Sequence, residues 1–211
     1  MKYTHIIWDF NGTLINDVET SIKTINPLLI RRNMKTIDSI MEYHRAFCFP
    51  IIQYYVNLGF DFEKESFDVI AIEWMRQYLV HSQNTPLYVG VMEVLNAIKN
   101  SGGTQIILSA TEKVMLTGQV KDLGIDGYFK DVLGLDNIHA NSKVDIAKAW
   151  MKREKPPKAL MIGDTTHDFD VAKAMGVDCI LVANGHQSKA DLQNCGGIIV
   201  DDIIEILGFV N

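Results

Sequence analysis

The chain has 211 residues, 47% hydrophobic and 22% charged, which excludes wholesale disorder and is long enough to bury roughly 70% of the unfolded surface without disulfide staples. Twenty basic against 26 acidic side chains leave a net charge of −6, which argues against nucleic-acid or anionic-membrane partners. The three cysteines, Cys48, Cys179 and Cys195, form no C-x-x-C pair. No run reaches the ~20 apolar residues of a membrane span, so a soluble, cytoplasmic protein is expected.

The first apolar run, Ile6-Ile7-Trp8, ends in Asp9-Phe-Asn-Gly-Thr-Leu14 and predicts a buried strand opening into a turn. A mostly helical stretch follows, with patterned pieces at 18–32, 37–49, 51–58 and 67–80. Pro27, Pro50 and the Leu58-Gly59-Phe60 step are expected to interrupt it. From Pro86 onward helical patterns alternate with short apolar runs. The helices are expected at 91–99, 112–123, 145–152 and 168–175, and the strands at 105–108, 132–133, 159–162, 179–182 and 198–200. That alternation predicts an α/β, Rossmann-like doubly wound parallel sheet, with residues 1–15 and 84–211 as the core. Residues 16–83 then form an inserted helical domain. The aromatics Phe47, Phe49, Tyr54, Tyr55 and Phe60 are expected in its packing.

In doubly wound sheets, ligands bind outside the carboxyl ends of the strands. Asp9 with Asn11, Ser109 and Asp164 all follow apolar runs directly, and Lys143 opens a helix. Four separated segments thus direct polar groups to one sheet edge, which points to an active site. Asp9 suits a nucleophile toward phosphorus, and Asp164 with Asp168 adds the oxygen-rich donors that Mg²⁺ prefers. Each also has a plainer use. Asp9 fits a turn, Asp164 and Asp168 fit caps, and Ser109 fits a helix N-cap in a capping box with Glu112. Ser109 and the amides of Ala110 and Thr111 can donate to phosphoryl oxygens, and Lys143 can supply a positive charge.

Together these segments resemble the haloacid dehalogenase-like hydrolases, above all their phosphoglycolate phosphatase-like branch. The matches, in order, are Asp9-Phe-Asn-Gly-Thr-Leu14, Ser109 after Gln105-Ile-Ile-Leu108, Lys143 after Asn141-Ser142, and Gly163-Asp-Thr-Thr-His-Asp168. Asp9 and Ser109 are 100 positions apart, whereas Ser109 and Lys143 are only 34 apart. In this family the long first interval implies a helical cap after the first strand. The resemblance implies a Mg²⁺-dependent phosphatase that forms an aspartyl phosphate on Asp9. The metal would be held by Asp9, Asn11 through its carbonyl, Asp164 and Asp168, and the partner would be a small phosphorylated metabolite. The sequence leaves monomer and homodimer both open. Arg45 of the cap is a candidate contact to the distal part of the substrate.

The sequence departs from the family at Asn11, where the phosphatases carry an acid–base aspartate. A carboxamide cannot shuttle protons, and losing a general acid–base costs ~10²–10⁴-fold. Three outcomes follow. Turnover is slow or restricted to acyl or aryl phosphates; another group such as His44, His139 or His167 supplies the proton; or the chain has become a phosphate- or partner-binding pseudo-phosphatase. A 2-haloacid dehalogenase also lacks the second aspartate but does not keep the Asp164/Asp168 pair. A phosphonatase would need a cap lysine, and no motif marks Lys23, Lys35 or Lys64 for that role.

Overall fold

The computed structural model describes residues 1–135 and 143–210. It divides into two compact units, Met1–Ile15 with Leu87–Asn211, and Asn16–Pro86.

The first unit is built on β1 (His5–Trp8), whose Ile6, Ile7 and Trp8 are fully buried. Successive side chains of a strand face opposite ways, and β1 divides its residues accordingly. Ile6 and Trp8 join one apolar cluster with Leu116 and with Val94 and Leu95 of the helix α5 (Val91–Asn100), while Ile7 joins the other with Trp150, Val171 and Ala172. A strand buried on both faces must be covered on both faces, which is why its sequence is an unbroken apolar run. The same division recurs in β2 (Thr104–Glu112) and β4 (Ala159–Gly163). With β3 (Asp131–Leu135), β5 (Asp178–Val182) and β6 (Ile198–Val200) they form a six-stranded parallel sheet, ordered β3-β2-β1-β4-β5-β6. The α/β doubly wound sheet expected from the alternating pattern is therefore present. Its chain order reverses at β1, and Trp8 pairs with Ile107 of β2 on one side and Ile162 of β4 on the other.

The second unit holds α1 (Val18–Arg31), α2 (Ile40–Ala46), α3 (Ile51–Asn57) and α4 (Phe67–His81). Pro27 does not interrupt α1, contrary to expectation, but sits inside it. An interior proline costs about 3 kcal/mol. Here Ile25 precedes it and Leu28 and Leu29 follow it, all fully buried, so packing on both sides of the proline offsets that cost. Tyr54, Tyr55 and Phe60 are buried in this unit as expected; Phe47 is half-buried and Phe49 exposed. Arg32 forks onto Glu65 at 2.7 and 2.8 Å and reaches Glu73 at 2.6 Å, tying the end of α1 to α4.

Among the described residues no helix is long and apolar enough to cross a membrane. Cys48, Cys179 and Cys195 are all free and half-buried.

Candidate active site

The register of the sheet delivers three segments to one place. Trp8 pairs with Ile162, and the Asp9 amide continues the ladder to the Ile162 carbonyl at 2.8 Å, so Asp9 leaves β1 alongside Gly163 and Asp164. On the other side Trp8 pairs with Ile107, two residues before Ser109. α7 (Lys143–Glu154) begins with the lysine itself, whose side chain is 3% exposed. α8 (Thr166–Met175) begins just after Asp164 and carries Asp168 in its first turn.

Asp9, Asp164 and Asp168 are all buried, and one carboxylate oxygen from each lies within 4.8 Å of the others. The Lys143 ammonium is ion-paired to Asp9 Oδ1 and, at 2.5 Å, to Asp168 Oδ1. Thr13, fully buried, places its hydroxyl 2.9 Å from Asp164 Oδ1 and 3.3 Å from Asp9 Oδ2. The His186 amide donates to Asp164 Oδ2 at 2.7 Å. Asp168 has two uses. Its Oδ2 accepts from the Thr165 amide at 3.1 Å and the Thr165 hydroxyl at 2.7 Å, closing a capping box on α8, while its Oδ1 meets Lys143. The cap expected as an alternative use of Asp168 therefore coexists with its place in the cluster.

Three carboxylates sit together with one ammonium, which pairs with only two of them, and the electrostatics follow from that imbalance. Burial pushes the Asp9 carboxyl well above its ordinary range; Lys143 opposes this, and Asp168 and Asp164 add to it. Burial likewise pushes Asp164 up to about 6, against the pull of His186 and Thr13. Burial also works against ionising Asp168, but Lys143 and Thr165 outweigh it and hold this carboxyl below its usual value. Lys143 is held charged by Asp168 and Asp9 in spite of its own burial. The donor set is all oxygen, compact and short of positive charge, which suits a hard divalent cation such as Mg²⁺.

Backbone glycines make room for this cluster. Gly12 has φ +71°, and a Cβ there would stand 2.3 Å from Asp164 Oδ2. A Cβ on Gly185 would stand 2.2 Å from the same oxygen. Any side chain at either position would collide with Asp164.

A second, neutral set of bonds runs through β2. Ser109 lies within the strand, buried, and its hydroxyl donates to Thr111 Oγ1 at 3.1 Å. The Thr111 hydroxyl donates in turn to Asn11 Oδ1 at 2.7 Å. Ser109 is not the N-cap of the next helix, as its spacing from Glu112 had suggested. The strand runs on to Glu112, and Glu112 itself caps α6 (Lys113–Asp122) by accepting from the Val114 and Met115 amides at 3.0 and 2.9 Å.

The structure thus gathers Asp9, Asn11, Ser109, Thr111, Lys143, Asp164 and Asp168, with Ala110 exposed between Ser109 and Thr111. Arg45 belongs to the helical unit, where it is exposed and lines a cavity of about 310 Å³ with Lys35, Glu42 and Asn57. His44 and His167 are half-buried, and His139 lies outside the described residues. The sequence reasoning missed Thr13 and the segment Asn184-Gly185-His186-Gln187. That segment leaves β5 as Asp164 leaves β4, and Gln187 Oε1 accepts from the Thr166 amide at 2.6 Å. The apolar run 179–182 ending in Asn-Gly was the signal that could have found it.

The sequence pattern of the family "Haloacid dehalogenase-like hydrolase" matches residues 6–182. A phosphoglycolate phosphatase of Pseudomonas fluorescens is 23% identical over 214 residues, covering 96% of this chain and 78% of that one. One from Rhodobacter capsulatus is 24% identical, covering 86% and 85%. The solved structure of a haloacid dehalogenase-like family protein from Streptococcus pneumoniae superposes with a TM-score of 0.86 at 18% identity, covering 100% of this chain and 99% of that one.

Proposed function

The chain belongs to the haloacid dehalogenase-like hydrolases, and from that membership we propose that it is a Mg²⁺-dependent phosphatase of small phosphorylated metabolites, working through an aspartyl phosphate on Asp9. The observation that carries this reading is the buried Lys143 set between Asp9 and Asp168. Burying an ammonium and three carboxylates costs several kcal/mol per ion, which a fold with no chemistry to perform would avoid with apolar residues.

In this mechanism an Asp9 carboxylate oxygen attacks phosphorus. Lys143 offsets the repulsion between the nucleophile and the phosphoryl oxygens. The Ser109 hydroxyl and the Ala110 and Thr111 amides donate to those oxygens and orient the group. Asp9, Asp164, Asp168 and the Asn11 main-chain carbonyl would hold the cation, which when bound supplies charge neutralisation for the incoming anion. Asn11 leaves the proton-transfer steps without a carboxylic acid at that position, so turnover is weakened or specialised. The helical unit is assigned the role of cap, and Arg45 the role of a contact to the substrate's distal end. The relatives named phosphoglycolate phosphatase favour a small anionic substrate of that kind.

The test is phosphate release from a metabolite panel and from para-nitrophenyl phosphate with Mg²⁺, for the parent and for Asp9→Asn. Release by the parent and its loss in Asp9→Asn are expected. Phosphate bound but never released, or release indifferent to Asp9→Asn, would transfer the chain to the pseudo-phosphatase reading.

A further inference from the structure

The site handles charge and protons with different equipment. On the charged side, Asp9 is paired with Lys143, Asp164 accepts from Thr13 and the His186 amide, and Asp168 accepts from Lys143 and Thr165. On the neutral side, the hydrogen bonds run from Ser109 to Thr111 and end on the Asn11 carboxamide oxygen. This fixes the amide: its oxygen is taken by Thr111, and its nitrogen can donate hydrogen bonds but does not ionise near neutral pH. An aspartate in the same place would keep the Thr111 bond on one oxygen and leave the other to carry a proton. The side chain held at position 11 is therefore one that cannot carry a proton.

Resting on the phospho-aspartate reading above, we propose that this chain takes its phosphoryl group from donors whose leaving oxygen is stable as an anion, acyl and aryl phosphates rather than alkyl phosphates, and retains it on Asp9. In the first step an Asp9 oxygen lone pair forms the new bond to phosphorus. The bond from phosphorus to the leaving oxygen breaks, and its electron pair stays on that oxygen. A carboxylate or phenolate leaves without a proton, whereas an alkoxide needs one at once. In the second step a water oxygen bonds to phosphorus and the bond to Asp9 breaks. The electron pair returns to the carboxylate, and the water proton passes to solvent or to the released phosphate. With acyl and aryl donors only this second step lacks its proton carrier, at a cost of ~10²–10⁴-fold. Phosphorylation therefore outruns hydrolysis, and the aspartyl phosphate accumulates.

The experiment uses the full chain with Mg²⁺ and three donor sets: acetyl phosphate, phenyl phosphates of graded leaving-group acidity, and glycerol phosphate. Rapid quenching is followed by intact-protein mass. The parent is expected to gain one phosphoryl group per chain in the first turnover with acetyl phosphate, and Asp9→Asn to gain none. In steady state kcat/KM should fall steeply along the phenyl series, with glycerol phosphate at least ~10²-fold below acetyl phosphate. Asn11→Asp should raise glycerol phosphate turnover by ~10²-fold or more and remove the accumulated phosphoprotein. Values of kcat/KM in the parent that do not vary with the leaving group overturn the inference, as does an Asn11→Asp protein that melts like the parent yet gains nothing on glycerol phosphate. Either result leaves the phospho-aspartate reading standing provided the mass gain at Asp9 is seen. If no donor labels the chain while Asp9-dependent phosphate release persists, the proposed accumulation fails and the phospho-aspartate reading stands; if neither label nor Asp9-dependent release is seen, that reading fails and the donor preference falls with it.

Discussion

Two bonded systems meet where β1 ends, and they are built to different standards. The charged system of Asp9, Lys143, Asp164 and Asp168 is buried throughout, and its carboxylate oxygens are held by a lysine, hydroxyls and main-chain amides. The neutral system of Ser109, Thr111 and Asn11 is less enclosed and ends on a group with no titration near neutral pH. The difference separates two demands of phosphoryl transfer. Holding a crowded anion needs fixed charge, and the first system supplies it. Moving a proton needs a group that ionises, and the second system lacks one.

The most severe way to break the charged system is to remove Asp9, the proposed nucleophile. Asp9→Asn should reduce phosphate release by ~10⁴-fold or more, since it removes the proposed acceptor of the phosphoryl group; turnover with a purified panel of phosphate esters checks this. Lys143→Met should come next. Losing one positioned charge costs about 10²–10³-fold in kcat, and stranding buried carboxylates should also lower the Tm of the metal-free protein by several degrees at pH 7. Adding Mg²⁺ should recover part of that stability, which thermal melts with and without chelator will show.

Asp164 sharpens the comparison through pH. Its folded-state value of about 6 lies above the ordinary carboxyl range, so the folded state holds this proton more tightly than the unfolded chain. The associated stability is fully present below about pH 4 and is lost as pH rises through about 6. Asp164→Asn should therefore flatten the fall in metal-free Tm between pH 4 and 7. One amide oxygen can still accept the His186 amide, and the Thr13 hydroxyl can turn to accept from the new NH₂. The same variant should lose the stabilisation by Mg²⁺ expected of the parent, which amounts to about 2.7 kcal/mol at a hundredfold excess over Kd. A parent Tm that ignores chelator across this range would remove the cation from the account. The mildest change is Thr111→Val, which deletes the neutral bond to Asn11. It should cost about 1 kcal/mol of stability and a few-fold in turnover, with the response to Mg²⁺ unchanged.

Much of this arrangement was legible in the sequence because the sheet imposes it. Asp9, Ser109 and Asp164 each follow a run of apolar residues, and in a parallel sheet such positions converge whatever else the chain does. Lys143 was legible only by its place in the order of motifs, since a lysine opening a helix carries no local sign of burial. Thr13 escaped because its importance is purely spatial: it bridges Asp9 and Asp164, which are 155 positions apart in the chain. Gly185 and His186 escaped for a related reason, because they act through backbone proximity to Asp164 rather than through a reactive side chain. Pro27 misled because its local cost was weighed without the apolar packing of Ile25, Leu28 and Leu29 that offsets it. Ser109 misled as a helix cap because the strand runs four residues further than its apolar core, with a register irregularity between Leu108 and Glu112.

The double engagement of Asp168 bears on how this molecule could drift. One of its oxygens secures the beginning of α8 and the other faces Lys143, so a descendant that had abandoned chemistry would still be penalised for losing it. Its presence in a sister sequence is accordingly a weak witness to retained activity. Lys143 is the stronger witness, because an idle pocket would be relieved by exchanging that ammonium, together with its partners, for hydrocarbon.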